Sequence, residues 1–158
     1  MTKVIATLFV STFLTMGAHA YELTMSPVTG YSSLYGFYYG LDGRADFEIA
    51  PQWQLGVGGG LALSDLESDK SKFELVVGPT YNFSEDFSNS FFVGFGVGYS
   101  NRYPTFEDTE KAFGYVDFGK RFLISEEYNL SYKPTVSVRY SEGKSSFMVS
   151  PLSFSMSF

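Results

Sequence analysis

The stretch YGFYYGLDGRADFEI, residues 35–49, alternates between two sets of side chains along its whole length. The first set is apolar, aromatic or small: Tyr35, Phe37, Tyr39, Leu41, Gly43, Ala45, Phe47 and Ile49. The second set carries all the charges: Gly36, Tyr38, Gly40, Asp42, Arg44, Asp46 and Glu48. Because successive strand residues point to opposite faces, and a helix would mix the two sets, the pattern predicts a β-strand. Its length exceeds even the roughly 9–11 residues that a membrane-spanning strand needs.

The same alternation continues to the last residue, with turn residues at intervals. Short turns are predicted at 50–52, 84–89 and 125–127, and the opposite connections at 29–34, 65–70, 101–111 and 141–145. An even number of strands returns both termini to one side, as single-chain outer-membrane barrels require. We therefore predict an all-β fold, an eight-stranded antiparallel up-and-down transmembrane β-barrel. In its last strand the outward positions are Met148, Leu152, Phe154, Met156 and Phe158.

The first twenty residues have the features of a secretory signal peptide. Lys3 precedes a short apolar stretch, and Ala18-His19-Ala20 is an A-x-A cleavage pattern. The apolar stretch is shorter than the roughly 20 residues of a transmembrane helix. The predicted domains are a signal peptide, residues 1–20, cleaved after Ala20, and an outer-membrane β-barrel domain, residues 21–158.

Composition narrows the possible functions. The chain has no cysteine, and its one histidine, His19, lies in the predicted signal peptide. The net charge of −6 argues against nucleic-acid binding. Aromatic residues make up 19% of the chain, which suits a protein with two water–lipid interfaces.

The charged face of the strands is predicted to line the barrel lumen. Its charged members are Glu22, Asp42, Arg44, Asp46, Glu48, Lys72, Glu74, Asp117, Arg121, Lys133 and Arg139. A water-soluble barrel would have the opposite arrangement, with charge outside and apolar residues inside. Hydrocarbon outside and paired charges inside therefore account for the pattern best.

Some positions depart from this pattern. Lys120 falls on the apolar face between Phe118 and Phe122, where it either extends to the membrane interface or is turned inward by a bulge at Gly119. Prolines interrupt predicted strands, and we expect a shared bulge where Pro134 lies opposite Leu152, beside Pro151. The first strand is the least regular, because Pro27 and Val28 break its alternation. The proline at position 79 also lies inside a predicted strand.

The signal peptide, the eight alternating segments and the terminal Phe154-Ser155-Met156-Ser157-Phe158 resemble the small bacterial outer-membrane barrels, the OmpA, OmpX, OmpW and opacity-protein kinds. The resemblance covers the whole mature chain and is one of pattern, without a motif specific to any member. It implies the outer membrane of a Gram-negative cell. It also implies that Phe158 is an assembly signal for the barrel-assembly machinery, and that lipid and lipopolysaccharide are partners.

The predicted lumen charges favour a structural role over a catalytic one. Enzymes of similar architecture use an active-site histidine, which the mature chain lacks, and Asp46 with Glu48 is the remaining carboxylate pair. We predict a lumen charge network that fills a narrow barrel: Asp42, Arg44, Asp46, Glu48, Glu74, Asp117, Arg121, Lys133 and Arg139. We expect no cofactor and no metal.

Inward-facing glycines leave unfilled space beside the wall of the predicted lumen, and this space has two interpretations. Two strands lack inward side chains at Gly56, Gly58 and Gly60, and at Gly94, Gly96 and Gly98. Either long residues from across the lumen, such as Lys133 and Arg139, occupy this space, or it is a small cavity for water or an apolar ligand.

The longest predicted loop, 101–111, combines an apolar tip with acidic residues. Its candidate contact residues are Tyr103, Pro104, Phe106, Glu107 and Asp108. We expect a non-enzymatic barrel for envelope integrity, adhesion or surface recognition, with an unknown surface ligand. The alternatives are a narrow passive channel or carrier for small or apolar solutes, and, third, an enzyme that modifies lipid A.

Overall fold

The computed structural model of the protein describes residues 22–32, 36–62, 72–100 and 111–158. The predicted signal peptide and most of the connections 65–70 and 101–111 lie outside these residues. Within the described ranges, no helix is long and apolar enough to cross a membrane.

The described chain forms eleven β-strands and one short 3₁₀ helix. The strands are β1 (Glu22–Ser32), β2 (Gly36–Ala50), β3 (Trp53–Ala62), β4 (Lys72–Asn82), β5 (Phe91–Ser100), β6 (Lys111–Lys120), β7 (Phe122–Ser125), β8 (Leu130–Tyr132), β9 (Thr135–Ser141), β10 (Lys144–Ser150) and β11 (Phe154–Ser157). The 3₁₀ helix, Phe87–Asn89, lies between β4 and β5. Every strand pairing is antiparallel.

The sheet closes on itself at β1. This strand pairs with β2 over its whole length, which includes the irregular positions Pro27 and Val28. On its other edge it pairs with β11, where Leu23 lies opposite Met156, and with β10, where Tyr31 lies opposite Val149. The sheet therefore closes into a barrel, in which β7 pairs with β8 alone among the described strands.

The predicted count of eight strands is not confirmed, because three segments interrupt the ladder. They are Arg121 between β6 and β7, Lys133–Pro134 between β8 and β9, and Pro151–Ser153 between β10 and β11. Proline has no N–H to donate to a neighbouring strand. Single backbone bonds hold the interrupted segments, from Arg121 N to Ser90 O at 2.9 Å and from Lys133 N to Ser153 O at 2.8 Å.

The two faces of the sheet differ as the alternation predicts. The outward face carries exposed apolar side chains on every side of the barrel, among them Leu41, Leu55, Val77, Phe95, Val116, Val138 and Phe154. The buried inward side chains include Glu22, Asp46, Gln54, Arg121, Lys133 and Arg139. The polar groups therefore lie inside the barrel and the apolar groups outside.

Met148 is a correction to the predicted outward face. Its side chain is only 5% exposed and faces inward, whereas its neighbour Phe147 is exposed. In β11 the outward positions are even-numbered again, at Phe154 and Met156. Relative to the paired strands β8 and β9, the irregular segment Pro151–Ser153 contains one extra residue, and the inward and outward positions are exchanged between β10 and β11.

Lys120 stays on the outward face. The register from Phe91–Lys120 to Phe92–Gly119 and beyond is regular, so no bulge at Gly119 turns the lysine inward. Its ammonium lies over the rings of Phe91 and Phe122, 4.9 and 4.7 Å from their centroids.

Candidate functional site

The candidate site is the lumen, whose side chains come from inward positions of nearly every strand. Arg121 is the largest of the fully buried side chains in the described residues. Its guanidinium donates to both carboxylate oxygens of Glu22, from Nε at 2.6 Å and from Nη2 at 2.5 Å. It also donates to Asn82 Oδ1 at 2.6 Å and to Gln54 Oε1 at 3.2 Å. These bonds join β1, β3, β4 and the β6–β7 junction near the end of the barrel that holds the C-terminus.

Lys133 extends this cluster toward the next acid. Its ammonium donates to Thr24 Oγ1 at 2.9 Å and lies 3.2 Å from Glu22 Oε1. Asp46 Oδ2 is 3.8 Å from the same ammonium. The ring of Phe92 lies beneath both cations, with its centroid 5.0 Å from Lys133 Nζ and 4.7 Å from the Arg121 guanidinium.

Arg44 occupies the middle of the lumen. Its Nε donates to Asp46 Oδ1 at 2.7 Å, and its Nη1 donates to the Tyr115 hydroxyl at 2.9 Å. Nη2 donates to the carbonyl oxygen of Gly78 at 2.9 Å and to Thr80 Oγ1 at 3.1 Å. One guanidinium thus connects β2, β4 and β6 across the barrel.

Arg139 forms a second group toward the other end. It donates from Nη1 to Asp117 Oδ1 at 2.9 Å and from Nη2 to Glu74 Oε1 at 3.2 Å. Its guanidinium lies over the rings of Phe113 and Tyr115, 5.5 and 5.0 Å from their centroids. Arg139 therefore connects β4, β6 and β9 inside the barrel. Tyr115 extends this connection to β2, because its hydroxyl accepts a hydrogen bond from Arg44.

Seven of the nine predicted network residues belong to these groups. Of the other two, Asp42 is half-buried and lines the central cavity, whereas Glu48 is exposed near the end of β2. Asp46 and Glu48 therefore do not form a carboxylate pair. The loop residues Tyr103, Pro104, Phe106, Glu107 and Asp108 lie outside the described residues. Phe158 is described, follows β11 and is 64% exposed.

The space beside the inward glycines is filled, but not by the predicted residues. A Cβ on Gly56 would collide with Arg44 and Asp46, and one on Gly98 would collide with the ring of Phe113. Tyr115 lies against Gly78 and Gly96 in the same way. Lys133 and Arg139 lie instead over aromatic rings. Glycine in β3, β4 and β5 thus makes room for side chains of β2 and β6.

Several lumen residues were not singled out from the sequence. Gln54 and Asn82 bind Arg121, Tyr115 binds Arg44, and Phe92 and Phe113 underlie the cations. Their positions on the inward face of the alternating strands predict that they lie in the lumen. Because they are uncharged, the pattern of charges does not identify them.

A cavity of about 100 Å³ lies between the two groups of charges. Its lining includes Arg44, Glu74, Asp117, Lys133 and Arg139. At the end of the lumen near the C-terminus, the buried ring of Phe87 belongs to the 3₁₀ helix, and Ser131 donates to Ser88 O at 2.8 Å. The helix therefore lies against the lumen side of β8.

Comparison with solved structures finds a similar bacterial β-barrel domain. The crystal structure of the N-terminal β-barrel domain of Pseudomonas aeruginosa OprF matches with a TM-score of 0.59 and 12% sequence identity. The match covers 88% of this chain and 98% of that domain. The chain shares the fold of that β-barrel. No protein-family model and no curated protein sequence matches.

The chemistry available in the lumen is that of buried ion pairs and hydrogen bonds. Arg44 and Arg121 each donate four hydrogen bonds, which fix the orientation of their guanidinium planes across the barrel. In the described ranges, no group of three or more His, Cys, Asp or Glu residues is placed to hold a metal ion. The arrangement connects opposite walls and fills the space between them.

Proposed function

We propose that the protein is an outer-membrane β-barrel with eight membrane-spanning strands, exported by a signal peptide cleaved after Ala20. The strand count follows if β6–β7, β8–β9 and β10–β11 are each one interrupted strand. The pairing of β6 with β9 and that of β7 with β8 support this, because Gly119–Thr135 and Phe122–Tyr132 continue one register across both interruptions.

The observation that supports a membrane location is that the apolar side chains lie outside the barrel and the charged side chains inside, the reverse of a water-soluble barrel. Large apolar side chains are exposed around the barrel, while Glu22, Asp46, Arg121, Lys133 and Arg139 are buried within it. In water this arrangement would expose apolar surface and bury charge, both at a cost in free energy. In a bilayer the same outward face contacts hydrocarbon.

Fractionation and heat-modifiable mobility test this location. We expect the protein in the outer-membrane fraction, and a folded band in an unboiled gel sample that shifts on boiling, because a closed barrel resists detergent until heated. The boiled sample is the internal control. Recovery of the protein in the soluble periplasmic fraction would contradict the proposal.

We further propose a non-enzymatic role in envelope integrity, adhesion or surface recognition, in which the lumen is closed to solutes. Arg121, Lys133, Arg44 and Arg139 cross the lumen and are bonded to opposite walls. Residues bonded in this way stabilise the barrel wall rather than bind a substrate. The contribution of Tyr103 and its loop neighbours to surface recognition stays a prediction.

A narrow passive channel is the second candidate, and the cavity of about 100 Å³ favours it. Reconstitution in planar bilayers separates the two. We expect no stepwise conductance and no solute flux, because the charge groups occupy the lumen on both sides of the cavity. Bilayers with detergent alone are the control. Reproducible single-channel steps would overturn the closed lumen and support the channel.

A further inference from the structure

We propose that Lys120, with Phe91 and Phe122, binds the phosphate group of a membrane phospholipid at the end of the barrel that holds the C-terminus. This inference rests on the proposed membrane location and adds a ligand to it. Among strand residues whose side chains the structure describes, Lys120 is the only charged residue at an outward position. The site is therefore distinct from the lumen charges.

The surroundings of the ammonium are aromatic rather than acidic. Within the described residues, the ammonium lies 4.9 Å from the ring centroid of Phe91 and 4.7 Å from that of Phe122. Two rings attract a cation but do not neutralise it. An ammonium on a lipid-facing surface requires an anion or water at its level, and a lipid phosphate supplies the anion.

The length of β6 places this ammonium at a membrane boundary. The strand has ten residues, begins at Lys111 and ends at Lys120. At about 3.3 Å per residue and a tilt of about 40°, it spans about 25 Å along the membrane normal, the height of the apolar band of outer-membrane barrels. Lys120 thus lies at one edge of that band.

The interrupted ladder gives an independent indication of the same boundary. Arg121 directly follows Lys120, and Lys133–Pro134 interrupts the neighbouring strand beside it. Backbone groups without ladder partners are costly in hydrocarbon and are tolerated where water or headgroups reach them. The rings of Phe122 and Tyr132, with centroids 6.0 Å apart, lie at this level. Aromatic residues are enriched at membrane interfaces.

Competition between two lipids tests the site. Purified, folded protein is incubated with equal amounts of dioleoyl phosphatidylethanolamine and a phosphate-free dioleoyl galactosylglycerol, and retained lipids are counted by native mass spectrometry. We expect about a tenfold preference for the phospholipid, which corresponds to about 1.4 kcal/mol. We expect Lys120→Met to remove the preference and Lys120→Arg to retain it. Lys111→Met is the matched control, because it removes a lysine from the other end of the same strand.

Three results would overturn the proposal. They are equal retention of both lipids by the original protein, an unchanged preference in Lys120→Met, and displacement of the phospholipid by millimolar inorganic phosphate. The last result would indicate a general anion site. Heat-modifiable mobility is measured for each variant, so that loss of the barrel is distinguished from loss of the lipid.

Discussion

Arg121→Met is expected to lower the free energy of unfolding of the barrel by about 3–5 kcal/mol. The substitution leaves the fully buried carboxylate of Glu22 without its bidentate partner and leaves Asn82 Oδ1 without its donor, whereas Gln54 Oε1 keeps the hydrogen bond from Asn82 Nδ2. Methionine retains most of the side-chain volume, so the loss is mainly electrostatic. Urea titration of the protein refolded in vesicles, followed by Trp53 fluorescence and gel mobility, measures the change.

Lys111→Met is the matched control for this experiment. It also removes one cation from an ion pair, but its partner, Glu142, lies in an exposed turn. Exposed pairs contribute little to stability. The double variant Arg121→Met with Glu22→Gln should recover part of the loss, since it removes the uncompensated buried charge. Equal stabilities of Arg121→Met and Lys111→Met would contradict the structural role of the network.

Val116→Arg is expected to impair membrane insertion, with a cost of about 2–4 kcal/mol. Val116 is 50% exposed on the outward face, midway between the ends of β6. An arginine there would place a guanidinium near the centre of the hydrocarbon. The folded fraction after refolding into vesicles, and the amount of protein in the outer membrane, measure the effect.

Ile124→Arg provides the comparison, because it makes an equivalent change nearer the end of the wall. Ile124 is 55% exposed and lies in β7, beyond Lys120. The cost of an outward charge decreases to about 0–1 kcal/mol near the interface. If the two arginine variants fold equally well, the outward face does not contact hydrocarbon.

The inside and outside faces could be predicted because alternation is a local property of the chain. Leu41 is exposed and Asp46 is buried as predicted, and Val57, Val77, Phe95, Val116 and Val138 are exposed at their predicted outward positions. Ala45, predicted on the apolar face with Leu41, is fully buried. Met148 was predicted on the wrong face because a single extra residue between Ser150 and Phe154 leaves no distinct mark in the pattern. The interruptions beside Pro134 and Pro151 were predictable, since proline cannot complete a ladder.

The partners within the lumen could not be predicted. Glu22 and Arg121 are 99 residues apart in the chain, and which acid meets which base depends on the stagger of all the strands between them. The residue that fills the space beside Gly56 could not be predicted for the same reason. The glycine is visible in the sequence, but the use of its space by Arg44 follows only from the pairing of β2 with β3.

The extra residue at Pro151–Ser153 divides β10 and β11 into two stretches of opposite phase. Counting back from Phe158, every second side chain is apolar as far as Leu152, and beyond that point the count is out of phase. Residues 152–158 therefore form one continuous outward apolar row that does not extend into β10. Residues 144–150 follow the opposite phase, which matches their pairing with β9 and β1.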